Sequence, residues 1–206
     1  MYRLYGSPST GSASVEAALA QIGADYRIID VNTGDGAHLT EAYRAINPRQ
    51  QVPALELPDG SVMSEGAAMM LHLADAFPVA DLAPLPGSPA RAQHDRWLLF
   101  MAVNLYEGEL RKAYCDRYTD DPAGADGVRA SADAYVKRHY LILEDAIGAG
   151  PYLFGATMSM ADLYLWMLAA WMDAGWLASH CPKVAALAAA VAMRPRIAPI
   201  HAAHFG

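Results

Sequence analysis

Cysteine is almost absent from this chain. Cys115 and Cys181, in 206 residues, are too few and too far apart for a disulfide framework or a cysteine-based zinc site. With no disulfide framework to maintain, a reducing cytoplasm is the expected compartment. Charge is also scarce: 18% of residues are charged and 54% are hydrophobic, which excludes a disordered polyelectrolyte. Basic residues are the rarer sign, 15 Lys and Arg against 22 Asp and Glu, and the net charge of −7 argues against nucleic acid or an anionic membrane as the main partner. Long apolar runs are missing. The longest charge-free stretches, residues 163–172 and 184–193, are far shorter than the roughly 20 residues that a bilayer span needs. Residues 1–8 lack the apolar centre of a signal peptide. There is no Gly-rich phosphate loop, no defensible Ser-His-Asp spacing and no basic patch.

What is present divides the chain in two. Residues 77–89, FPVADLAPLPGSP, hold Pro78, Pro84, Pro86 and Pro89 and read as an extended linker between a domain at 1–76 and another at 90–206. Before it the elements are short and mixed. Tyr2-Arg3-Leu4-Tyr5 alternates as a strand and runs into a turn-forming cluster at 6–12. A helix at 15–22 stops at Gly23, a strand follows at 26–31, and a short helix at 39–46. Strands at 54–57 and 61–63 flank the turn Pro58-Asp59-Gly60, and a third helix spans 65–76 with Met69, Met70 and Leu73 on its core side. A right-handed crossover makes the first two strands parallel and the hairpin adds antiparallel ones, the arrangement of a thioredoxin-like α/β sheet. After the linker the pattern is all helical: 90–117, then 128–147 closed by Gly148. A further helix is opened by the capping box Ser159-Met160-Ala161-Asp162 and runs to Gly175, and the last spans 184–194 and is stopped by Pro195. His201 and His204, with no acidic or cysteine neighbour in sequence, read as a solvated tail rather than a metal site. His180-Cys181 reads as structural.

The segments NPRQQVPAL at 47–55 and SEGAAMMLHLAD at 64–75, with the turn after Tyr5 and the later capping box in register, resemble those of cytosolic glutathione S-transferases. The similarity runs over nearly the whole chain and is nearest to the bacterial Beta-like members. It implies a glutathione transferase fold, a thioredoxin-like domain followed by an all-α bundle, and a homodimer.

By that resemblance Val52-Pro53 would present the backbone of Val52 to the cysteinyl part of glutathione as an added strand, provided the bond is cis; from the residues alone a plain loop proline before a strand is the preferred reading. The start of the third helix offers free N–H groups and a positive dipole end to an anion. There the resemblance gives Glu65 the amine and Gly66 the carboxylate of the γ-glutamyl group, with Gln51 against the same ligand. Ser64 as a plain N-cap describes the same residues.

A glutathione thiol near pKa 8.5 needs a donor aimed at sulfur to become a thiolate at neutral pH. The turn YGSPSTGS holds hydroxyls but no cysteine, which argues against a mixed disulfide or a glutaredoxin-like cycle at this place. Thr10 ranks first, then Ser12 and Ser9, with Tyr5 outside; each hydroxyl taken alone reads first as a cap or turn bond. Tyr106 and Trp171 match positions of the electrophile pocket, although an apolar stripe on a helix is ordinarily core. The expectation is a cytoplasmic, glutathione-dependent transferase acting in detoxification on a small hydrophobic electrophile, with no metal, nucleic acid or membrane. The alternative is a non-catalytic binding protein of the same fold.

Overall fold

Alternate burial along YRLYG, with Leu4 sealed and Tyr5 half-buried, makes Tyr2–Gly6 a strand (β1) inside a sheet. It is followed by the helix α1 (Ser12–Ile22), the strand β2 (Tyr26–Asp30), a short helix α2 (Glu41–Arg44), the strands β3 (Ala54–Glu56) and β4 (Val62–Met63), and the helix α3 (Gly66–Ala76). The computed structural model describes residues 1–206, which pack as two compact units: Met1–Ser88 with Ala190–Gly206, and Pro89–Ala189.

In the first unit the sheet order is β2-β1-β3-β4. β1 runs parallel to β2, with Tyr2 opposite Tyr26, and antiparallel to β3, with Leu4 opposite Leu55; β4 returns antiparallel to β3. This is the expected α/β sheet. Helix α1 packs on α3, and Leu4, Val15, Leu19, Leu55, Met69, Met70 and Leu73 are fully buried. Each such side chain contributes roughly 1.5–3 kcal/mol relative to exposure. Gly23 closes α1 at φ 73°, a left-handed position that favours glycine. The second helix is shorter than expected: a 3₁₀ turn covers Ala37–Leu39, and Thr40 then caps α2 by accepting from the Tyr43 amide.

In the second unit the first long helix runs unbroken from Pro89 to Ala113 but changes its winding on the way. It comprises α4 (Pro89–Phe100), a π turn at Met101–Tyr106 and α5 (Glu107–Ala113), and a 3₁₀ turn follows at Cys115–Arg117. Helix α6 (Ala125–Ala146) closes at Ile147 rather than at a left-handed Gly148. It is followed by α7 (Met160–Ala169), α8 (Ala174–His180) and α9 (Pro182–Ala192). The stretch expected as one helix to Gly175 therefore breaks after Ala169, and Asp173 caps α8 by accepting from the Trp176 amide at 2.6 Å.

Every residue of α7 is buried, as its apolar sequence implies. The Asp162 carboxylate accepts from the amides of Ser159 and Leu153 and from the Ser159 hydroxyl, each at 2.7 Å. The serine hydroxyl thus donates to the aspartate instead of serving only the helix amide. Burial pushes the Asp162 carboxyl up, and these three donors pull against that. Helices α6 and α9 cap each other. Glu144 accepts from the amides of Lys183 and Val184 at the start of α9, while the Lys183 ammonium donates to the carbonyls of Glu144 and Ile147 at the end of α6.

The segment read as a solvated tail is instead the helix α10 (Ala198–Phe205), which packs on α1 with His204 buried. Residues 190–206 accordingly belong to the first unit, whereas the sequence reading grouped them with the preceding helices. No helix is long and apolar enough to cross a membrane.

Candidate functional site

Sheet register gathers three of the sequence-singled segments at one end of the first unit. The last pairs are Tyr5 opposite Ala54 in β1 and β3, and Leu55 opposite Met63 in β3 and β4. β1 ends, β3 begins and β4 ends at the same edge of the sheet, so the turn after β1, the Val52-Pro53 bond and the start of α3 follow or precede neighbouring strands there. The Val52-Pro53 bond is cis.

The turn is closed by its own hydroxyls. Thr10 Oγ1 donates to the Ser7 carbonyl at 2.7 Å, and Ser12 Oγ approaches the same carbonyl at 3.0 Å and Thr10 Oγ1 at 2.9 Å. Two hydroxyl hydrogens thus serve three contacts. Thr10 is half-buried; Ser12 is 2% exposed and sits as the first residue of α1 after the N-cap Gly11. Ser9, at φ 59°, donates its hydroxyl to the carbonyl of His204 at 2.5 Å. Gly6 cannot be replaced here, since an added Cβ would lie 2.5 Å from Ser12 Cβ. Tyr5 points elsewhere: its hydroxyl donates to Glu56 Oε2 at 2.9 Å, and burial and the Glu56 carboxylate push its pKa up.

The carbonyl of Gln51 is held from two sides, by the Tyr43 hydroxyl at 2.8 Å and the Asn47 amide at 2.7 Å. Burial pushes the Tyr43 hydroxyl up to about 12, so it stays protonated and remains a donor. Glu65, not Ser64, is the N-cap of α3. It stands at φ 69°, so the chain turns sharply before the helix opens at Gly66. The first amides of α3, beginning with Gly66, are the free donors of a helix N-terminus.

Sequence reasoning missed Arg49, whose guanidinium pairs with Glu65 Oε1. Both side chains are more than half exposed, so the pair contributes about 0–1 kcal/mol and yields readily to a charged ligand. Its signal was inside the quoted NPRQQVPAL, an arginine at the turn before the proline, with no spacing rule to single it out.

In the second unit, Tyr106 and Trp171 are brought together: their rings pack edge-on with centroids 5.3 Å apart, and Tyr164 stacks on Tyr106 at 6.2 Å. Tyr106 closes the π turn. The Asn104 side chain fixes that turn by donating to the Phe100 carbonyl at 2.9 Å and accepting from the Tyr135 hydroxyl at 2.5 Å. Cys115 and Cys181 are free and buried, and burial raises the Cys181 thiol to about 11. No group of three or more His, Cys, Asp or Glu is placed to hold a metal ion.

Comparison with known proteins finds two family matches, the glutathione S-transferase N-terminal domain over residues 9–76 and the glutathione S-transferase C-terminal domain over residues 111–200. The GST-like protein YncG of Escherichia coli K12 is 30% identical over 199 residues, covering 96% of this chain and 95% of that protein. A glutathione transferase homologue from Sulfitobacter, solved with bound glutathione, superposes with a TM-score of 0.91 at 26% identity, over 100% of this chain and 99% of the other. A beta-class glutathione S-transferase from Sphingomonas chungbukensis gives a TM-score of 0.81 at 25% identity, over 98% of each chain.

Proposed function

Because the chain belongs to the glutathione S-transferase family, near its bacterial beta-class members, we propose that it binds glutathione at the sheet edge shared by the turn after β1, Val52-Pro53 and Glu65-Gly66, and activates the thiol for attack on a small apolar electrophile. The observation that supports this reading is the sheet order, in which the end of β1, the start of β3 and the end of β4 are neighbours at one edge. The backbone of Val52 pairs with the cysteinyl residue as an added strand. Gly66 and the next amides of α3 take the γ-glutamyl carboxylate, and Glu65, steadied by Arg49, takes the amine. Gln51 is held by its carbonyl beside the same ligand. The Sulfitobacter homologue with bound glutathione supports the choice of cosubstrate.

Thr10 is the donor to sulfur. The Ser7 carbonyl has two hydroxyls within reach, so Thr10 can rotate toward a ligand while Ser12 keeps that carbonyl satisfied. Ser12 is sealed inside and Ser9 is engaged with His204, which leaves Thr10 as the half-buried hydroxyl of the turn. A hydrogen bond to the thiolate lowers the thiol pKa, each unit corresponding to about 1.4 kcal/mol. The thiolate then forms the new C–S bond while the leaving group departs with its electron pair. Tyr106 and Trp171 offer an aromatic surface for the electrophile. The reading extends to a cytoplasmic homodimer in detoxification, with family membership as its support.

One observation favours a second reading, a glutathione-binding protein without catalysis: every candidate hydroxyl already has an acceptor inside the chain. Calorimetry of glutathione binding, with thiolate absorbance titration of the complex, separates the two. The transferase reading expects binding and a thiol pKa well below 8.5, raised by about one unit in Thr10→Ala and by less in Ser12→Ala. Absence of binding overturns both readings. Binding with an unperturbed thiol leaves only the second.

A further inference from the structure

Helices α1 and α10 lie antiparallel in the first unit and tie each other's ends. At the far end of α1, the Arg196 guanidinium donates to the last-turn carbonyls of Gln21 at 2.8 Å and, beside the Gly23 amide, Ala20 at 3.4 Å. At the near end the relation is reversed. The carbonyl of His204, in the last turn of α10, accepts from the hydroxyl of Ser9, in the turn that precedes α1. Between these ties the His204 imidazole meets Glu16 on α1, Nε2 to Oε2 at 2.9 Å. The imidazole is 7% exposed and the Glu16 carboxylate 18%, so water competes little for the contact.

Ser9 is the residue of the turn that most needs holding. It stands at φ 59°, a left-handed conformation that a non-glycine residue keeps only when its surroundings hold it. Its neighbour is Thr10, whose hydroxyl the proposed chemistry uses. A rotation at Ser9 carries Thr10 with it, because the two share a peptide plane.

We propose that His204 is a positioning residue for thiol activation: its imidazole, seated on Glu16, fixes the end of α10 so that its carbonyl holds Ser9 left-handed and aims Thr10. The role rests on the glutathione reading above, and it acts through the turn rather than on the ligand. Glutathione affinity depends on the Val52 backbone and the start of α3, so losing His204 spares binding and weakens activation. Ser9→Ala breaks the same chain of contacts one link later while leaving His204 on Glu16.

The test uses the full chain with glutathione as probe, in His204→Ala, His204→Gln and Ser9→Ala. Three quantities are read: glutathione Kd by calorimetry, the thiol pKa of the bound complex by thiolate absorbance, and amide hydrogen exchange over residues 8–13 without ligand. His204→Ala and Ser9→Ala are expected to raise the bound thiol pKa by about one unit, a roughly tenfold loss of thiolate below it, with Kd changed less than about threefold. Exchange at 8–13 becomes faster in both. His204→Gln, whose amide can still donate to Glu16, restores pKa and exchange. An unchanged thiol pKa in both alanine variants, with glutathione still bound, overturns the proposal. So does a loss of affinity as large as the loss of thiolate. If the wild-type chain binds no glutathione, the transferase reading fails on its own, and unchanged exchange at 8–13 then overturns the positioning role independently.

Discussion

In the first unit the candidate site is held by main chain: a strand register, carbonyls that gather hydroxyls, and three non-glycine residues, Ser9, Gln50 and Glu65, in left-handed conformations. In the second unit, Tyr106 is held by side chains: an asparagine that fills a gap in a helix, a tyrosine that buttresses it, and two aromatic rings that receive it. The difference separates what each region can change without disturbing the other. In the first region the Ser7 carbonyl keeps a partner when one of its two hydroxyls is exchanged, whereas Ser9 has its hydroxyl on the carbonyl of His204. In the second, exchanging one support moves the residue that depends on it. A family that keeps one cosubstrate and varies its electrophiles needs both kinds of construction.

Three substitutions probe that contrast. The largest effect is expected from Gly6→Ala. Its Cβ would fall 2.5 Å from Ser12 Cβ and 2.6 Å from Ser12 Oγ, so β1 and α1 must separate. A loss of about 1–3 kcal/mol of stability is expected by overpacking, with loss of glutathione binding; a melting temperature and affinity equal to wild type would mean that the turn is not backbone-held. Asn104→Ala comes next. It leaves the Phe100 carbonyl and the Tyr135 hydroxyl without this partner, at about 1–3 kcal/mol, and lets Tyr106 swing away from Trp171. Tryptophan fluorescence should change while glutathione affinity holds, and a coupled change in both would erase the contrast.

The third concerns pH. Burial pushes the Glu109 carboxyl up, with Lys112 opposing, and Glu109 Oε1 is buried without a hydrogen bond. A folded pKa above the unfolded one means that stability is lost as pH rises through the unfolded value near 4.3 toward the folded one. Glu109→Gln should therefore melt higher than wild type at neutral pH, and the gap should close in acid. A gap independent of pH would trace the effect to packing instead.

Much of the fold was legible where the cause is local. Gly23 ends α1, Asp59 accepts from the amide and hydroxyl of Ser61 at the hairpin, and Asp162 opens α7. The change of winding at Met101 and the break after Ala169 were not legible, because apolar spacing runs on through a π turn and a short loop alike. The last helix was missed for a different reason: the partner of His204 is Glu16, 188 residues earlier, and no window along the chain contains both. The site divided in the same way. Val52, Pro53, Glu65 and Gly66 announced themselves by motif, whereas Arg49 is defined by the residue that it reaches across the sheet. Which hydroxyl faces a ligand depended on where the others were already spent, and that is a property of the folded turn.

The doubly addressed carbonyl of Ser7 has a further consequence, for how the turn tolerates drift. Either Thr10 or Ser12 can be lost without orphaning that oxygen, so each single loss is buffered by the other, and only the pair exposes the fault. The turn can thus lose one hydroxyl and keep the carbonyl that closes it. The redundancy that steadies the turn is also what leaves Thr10 free to change.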